Sequence, residues 1–145
     1  MQKIKNHLKK NLYLLRSDNI NESKKDILDW QTFEKGCQEL ANKISDSGII
    51  FKSIITFPRG GFPVATRLSH LLNINDVSVV DLTTPIVKGC LVVDDISDTG
   101  NTLNGAKSLG YVHFATLHWH RQSIVKPTWF VWEKKDDWIV YPWEV

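Results

Sequence analysis

Apolar positions along the chain change period several times. From Asp29 onward, Phe33, Cys37, Leu40, Ala41 and Ile44 recur at helical spacing, which predicts an amphipathic helix with Asp29 as its N-cap and Gly48 just beyond its end. Residues 53–57 (Ser-Ile-Ile-Thr-Phe) read as a buried strand, stopped by Pro58-Arg59-Gly60-Gly61. Val64, Leu68, Leu71 and Leu72 mark a second helix, and β-branched runs at 77–82 and 89–94 predict two more strands. A polar stretch at 95–102 leads into a short helix through Leu109, closed by Gly110. A fourth strand is expected at 112–120, with shorter ones at 130–132 and 138–140. Helices alternating with strands that lack a polar face predict an α/β fold, a parallel sheet flanked by helices on both faces.

The 145 residues suit one domain, and 42% hydrophobic with 23% charged residues is the balance of a globular chain with one core. No apolar run is long enough for a membrane helix, and the first residues lack the apolar stretch of a signal peptide, so a cytoplasmic location is expected. The net charge of +2 is unevenly spread: residues 1–26 hold seven Lys/Arg against three Asp/Glu. This divides the chain into a basic N-terminal extension, 1–26, and a single domain, 27–145. The extension is either a solvated arm or a contact for nucleic acid or an acidic partner. The slightly acidic body is not a nucleic-acid binder by charge. Cys37 and Cys90 form no C-x-x-C and read as small core residues. Five of the six tryptophans lie in the last 27 residues, where core or interface packing is their default role.

Candidate chemistry concentrates in Leu91-Val-Val-Asp-Asp-Ile-Ser-Asp-Thr-Gly-Asn-Thr-Leu103. An apolar strand delivers Asp94 and Asp95 to the strand end, where ligands of parallel α/β sheets bind. The turn after it offers hydroxyls, one glycine and the free N–H groups of a helix start, a cradle for a phosphate monoester. Paired carboxylates suit diol hydroxyls or a hard divalent cation; together the features describe a ribose phosphate. A P-loop beginning at Gly100 is one residue out of register, and an EF-hand loop beginning at Asp95 would put Ala106 where its bidentate Glu belongs.

The segment resembles the 5-phosphoribosyl-1-pyrophosphate (PRPP) signature of the type I phosphoribosyltransferases. The tail Trp138-Ile-Val-Tyr-Pro-Trp-Glu144 is similar to that of the small purine enzymes, the xanthine–guanine and hypoxanthine phosphoribosyltransferases. The resemblance implies their fold, a helix-flanked parallel sheet with a small C-terminal hood. It implies transfer of the phosphoribosyl group from PRPP to a 6-oxopurine, with release of pyrophosphate and with Mg²⁺ as cofactor. It also implies small-molecule partners (PRPP, purine base and nucleoside monophosphate) and a homo-oligomer. Carried over by position, Asp94 and Asp95 take the ribose hydroxyls, and Asp95, with Asp94, takes the metal directly or through water. Ser97, Asp98, Thr99, Gly100, Asn101 and Thr102 cradle the 5′-phosphate, with Asp98 also the candidate general base at purine N7. Arg59, Gly60 and Gly61 form a pyrophosphate loop: the glycines let backbone N–H groups approach phosphate, and Arg59 adds a permanent charge.

Two departures stand out. Relatives carry a long lid loop, whereas only seven residues separate Leu82 from Cys90. An enzyme with weak activity, or a non-catalytic PRPP- or nucleotide-binding regulator of the same fold, both accommodate that spacing. Relatives also place a lysine for the purine 6-oxygen where this chain has His120, giving a base pocket of His120, Trp138 and Ile139. His118 and His120 share one strand face, which leaves a metal pair open beside simple packing.

Overall fold

The computed structural model describes residues 24–81, 83, 86 and 88–145. Most of the expected basic extension therefore lies outside the described residues. Strand β1 (Lys25–Ile27) precedes helix α1 (Trp30–Asp46). Strand β2 (Ser53–Thr56), helix α2 (Gly61–Leu72) and strand β3 (Asp76–Val79) follow. Then come β4 (Cys90–Ser97), α3 (Asn101–Ser108), β5 (Phe114–His120), β6 (Trp129–Lys134) and β7 (Trp138–Val140). A 3₁₀ turn, Pro142–Glu144, ends the chain.

Five strands form one sheet in the order β3-β2-β4-β5-β6, every neighbouring pair parallel. Alternate residues feed opposite faces, as a pleated strand requires. Ile54, Leu91, Val93, Ala115 and Leu117 pack under α1 and α2. Ile55, Val92 and Phe114 face Leu103 and Ala106 of α3. The free thiols Cys37 and Cys90 are both buried, the core roles expected of them. Asp29 caps α1 as expected, its carboxylate accepting from Thr32 N–H at 2.7 Å.

Three differences from the sequence reading matter. β4 runs on to Ser97, because Asp94, Ile96 and Ser97 continue to pair with Thr116, His118 and Trp119. Asp95, expected to open the turn, therefore sits inside the strand with Asp94. β3 is an edge strand with Val77 and Val79 exposed, so helices cover the centre of the sheet and not this margin. Lys25–Ile27 pairs in parallel with β7 as a separate two-stranded sheet, the hood, and the boundary expected after residue 26 cuts through this strand.

Candidate active site

The sheet brings the 57–61 turn and the end of β4 together, because β2 and β4 are direct neighbours in register, Thr56 beside Val93. The glycines of that turn serve the acids opposite. A Cβ at Gly60 would overlap the Asp95 carboxylate, and one at Gly61 would overlap Thr56 Oγ1 and stand 3.2 Å from Asp94 Oδ1. Asp94 is buried and Asp95 half-buried, and both lean on local backbone: Asp94 Oδ1 accepts from Asp95 N–H and Asp95 Oδ1 from Ile96 N–H, each at 2.9 Å. Burial and the neighbouring Asp95 charge push the Asp94 carboxyl above its ordinary range, and burial does the same to Asp95. Such a pair fits a hard dication that arrives with phosphate oxygens, for Mg²⁺ commonly takes one or two carboxylates and completes its shell from substrate and water.

The phosphate-type loop is braced from behind. Gly100 has φ +86°, and a Cβ there would overlap Ser123 Oγ and lie 2.8 Å from Val125 N. Ile124 N–H donates to the Thr99 carbonyl at 2.9 Å. Ser97, expected in the cradle, turns inward instead: its hydroxyl donates to the Val125 carbonyl at 3.0 Å and meets Ser123 Oγ at 2.8 Å. Thr99 lines the loop cavity, its hydroxyl accepting from Asn101 N–H at 3.3 Å, with Asn101 and Thr102 exposed at the start of α3.

Asp98 accepts from three side chains. His120 Nδ1 and Gln122 Nε2 reach Oδ1 at 2.8 and 3.1 Å, and Lys134 Nζ reaches Oδ2 at 3.2 Å. Burial alone would raise its pKa, but the Lys134, His120 and Gln122 donors outweigh it and hold the carboxyl below its ordinary value. A carboxylate only accepts, so His120 Nδ1 carries a proton and is committed to Asp98. The cation in this cavity is Lys134, which pairs with His120 in the β5–β6 register. Reading the sequence overlooked it. Its signal was a lysine closing the aromatic run of β6, at the strand end where parallel sheets bind ligands. The histidine pair does not assemble as a metal site: His118 Nδ1 is bonded to Tyr141, and no cluster of three or more metal-ligating side chains exists among the described residues.

Three cavities meet at Asp95. One of about 260 Å³ lies between the 57–60 turn and the loop 96–103. A second, about 700 Å³, is bounded by Arg59, Gly60, Trp143 and Glu144. The third, about 200 Å³, has Asp98, Lys134, Trp138, Ile139, Tyr141 and Glu144 on its walls. Trp138 is 58% exposed at its mouth, and Ile139 is buried beneath.

No family model matches the chain. Xanthine-guanine phosphoribosyltransferase from Desulfotalea psychrophila is 28% identical over 136 residues, covering 81% of this chain and 84% of that protein. The crystal structure of purine phosphoribosyltransferase from Pyrococcus horikoshii superposes with a TM-score of 0.71 at 28% identity, over 83% of this chain and 94% of that one. A Helicobacter pylori xanthine-guanine-hypoxanthine phosphoribosyltransferase shares the fold, with a TM-score of 0.75 at 23% identity over the same shares of the two chains.

Proposed function

We propose that this chain, a type I phosphoribosyltransferase in fold and signature, transfers the phosphoribosyl group of PRPP to a 6-oxopurine. The observation that carries the reading is the meeting of three cavities at Asp95. PRPP with its acceptor base has three parts radiating from one ribose: a 5′-phosphate, a 1-pyrophosphate and the purine. The 96–103 loop would hold the first, Arg59 and the Gly60-Gly61 turn the second, and the cavity under Trp138 the third. Asp94 and Asp95 would take the ribose hydroxyls and hold Mg²⁺, directly or through water. When bound, that ion supplies positive charge to the departing pyrophosphate.

In the transfer, the bond from ribose C1 to the pyrophosphate oxygen breaks and a bond from C1 to a purine nitrogen forms. Arg59 faces the leaving group, and the purine N–H proton passes to Asp98, kept ionised by Lys134, His120 and Gln122. The transition state gathers positive charge on the ribose, so the chain's task is alignment and charge stabilisation, with no covalent nucleophile required. Lys134, a donor only, matches the acceptor oxygen of a 6-oxopurine. Trp138 covers the base and Ile139 floors the pocket. The family resemblance favours a single domain over 27–145, a cytoplasmic location and a homo-oligomer.

Turnover of PRPP with guanine, hypoxanthine, xanthine and adenine, with products separated by chromatography, tests the reading. Nucleoside monophosphate from a 6-oxopurine is the expected result. Asp98→Asn should lower kcat by about 10²-fold with little change in PRPP affinity. The seven-residue spacing between Leu82 and Cys90 favours one other reading, a PRPP- or nucleotide-binding regulator without catalysis. Tight PRPP binding with no product from any of the four bases would select it.

A further inference from the structure

Tyr141 is buried directly after β7, its ring stacked on Trp143 at 4.7 Å and set edge-on to His118 at 5.5 Å. Its hydroxyl lies 2.8 Å from His118 Nδ1 and 3.2 Å from the Asp95 carbonyl oxygen. A phenol has one proton and a carbonyl can only accept. The Tyr141 proton therefore goes to Asp95, and His118 must donate from Nδ1 to the phenol oxygen. Burial keeps His118 neutral, with its pKa pushed down to about 4, so the single ring proton sits on Nδ1.

The backbone of Tyr141 faces the other way. Its N–H donates to Glu144 Oε2 at 3.1 Å, and its carbonyl accepts from Glu144 N–H at 3.0 Å, closing the terminal turn. Strand β7 is paired with β1 and not with the five-stranded sheet. The wall of Trp138 in β7 and of Trp143 and Glu144 in the turn after it thus belongs to the hood and not to the sheet that holds Asp95, and the Tyr141 hydroxyl bridges the two.

We propose that Tyr141, oriented by His118, is a positioning residue that fixes the hood against Asp95, so that contact with the base and the grip on magnesium PRPP stay in one register. Its kinetic consequence rests on the phosphoribosyltransferase reading, whereas its hydrogen-bond geometry does not. Tyr141→Phe keeps the ring stack and deletes the bridge. It should weaken magnesium PRPP binding, measured by calorimetry, and kcat/KM for guanine about tenfold each. His118→Asn, whose amide N–H can replace Nδ1–H, should stay within about threefold of the parent, and His118→Leu should fall between the two. Nitrogen NMR of the unliganded protein should show His118 as the neutral Nδ1–H tautomer. An Nε2–H tautomer, or a Tyr141→Phe variant that matches the parent in both PRPP affinity and kcat/KM, overturns the proposal. A parent protein that turns over no purine counts against the enzyme reading instead, and the nitrogen spectrum with the PRPP titration then decides the bridge alone.

Discussion

Buried beside Asp95, the ionised Asp94 carboxylate costs the unliganded fold stability. Its carboxyl is raised by burial first and by Asp95 second, so the proton-bearing form is the one the fold prefers. A raised folded-state value means that its contribution to stability is complete below the ordinary carboxylate range and is lost as pH rises through the raised value. Without ligand, Tm should therefore fall as pH rises across that window. Asp94→Asn, which keeps the oxygen that accepts from Asp95 N–H, should flatten the fall and add about 1–3 kcal/mol near neutral pH. A less stable variant by thermal denaturation would show that the pair is not strained. Lys134 acts in the opposite sense, holding Asp98 ionised. Lys134→Met should raise KM for guanine or hypoxanthine about tenfold or more, since hydrogen bonds to charged groups contribute roughly 1.5–3 kcal/mol. It should also move the acid limb of the pH–rate profile upward, because Asp98 loses a charged donor and protonates at higher pH. An unchanged limb in steady-state rates would sever Lys134 from Asp98.

At the scale of elements, close approaches decide what sequence periodicity leaves open. Gly36 lies inside α1, where glycine costs about 1 kcal/mol relative to alanine, and nothing in the helical pattern explains it. Its position against β6 does: a Cβ there would lie 2.7 Å from Trp132 Cζ3 and 3.2 Å from Leu117 Cδ2. Gly36→Ala should lower stability by about 1–3 kcal/mol in denaturant unfolding despite its better helix propensity; a gain would mean that Trp132 moves aside freely. The same logic separates what could be read from the chain and what could not. The helix at Phe33–Ile44, the presence of the strands and the acidic turn were legible, because period, capping and turn chemistry are local. Inward-turned Ser97, His120 committed to Asp98, and Lys134 one strand away were not, because they depend on tertiary neighbours: the 121–128 loop behind Ser97, β5 beside β4, and β6 beside β5. The loop 121–128 carries β5 back to a parallel β6 with no helix, a connection that periodicity does not announce.

For the whole molecule, the order β3-β2-β4-β5-β6 sends the connection after β2 toward one edge and that after β4 toward the other, so the two loops part side by side, where a parallel sheet leaves a crevice. The hood closes one side of that crevice by a separate strand pair. The seven residues between Leu82 and Cys90 give little length with which to cover the other side, so water should reach the reacting atoms more readily than under a long lid. Lengthening this connection with a glycine-serine insert should leave PRPP affinity within about threefold, since loop-closure entropy changes slowly with length, and product assays should then show whether kcat rises. In the proposed reaction the strand-end acids and the 96–103 loop bind the ribose phosphate of PRPP. Calorimetric titration of magnesium PRPP into the parent protein and into the Thr99→Ala/Thr102→Ala double variant tests it most directly. One equivalent bound by the parent, with affinity at least about tenfold lower in the double variant, is the predicted result; equal affinity in the two proteins would contradict it.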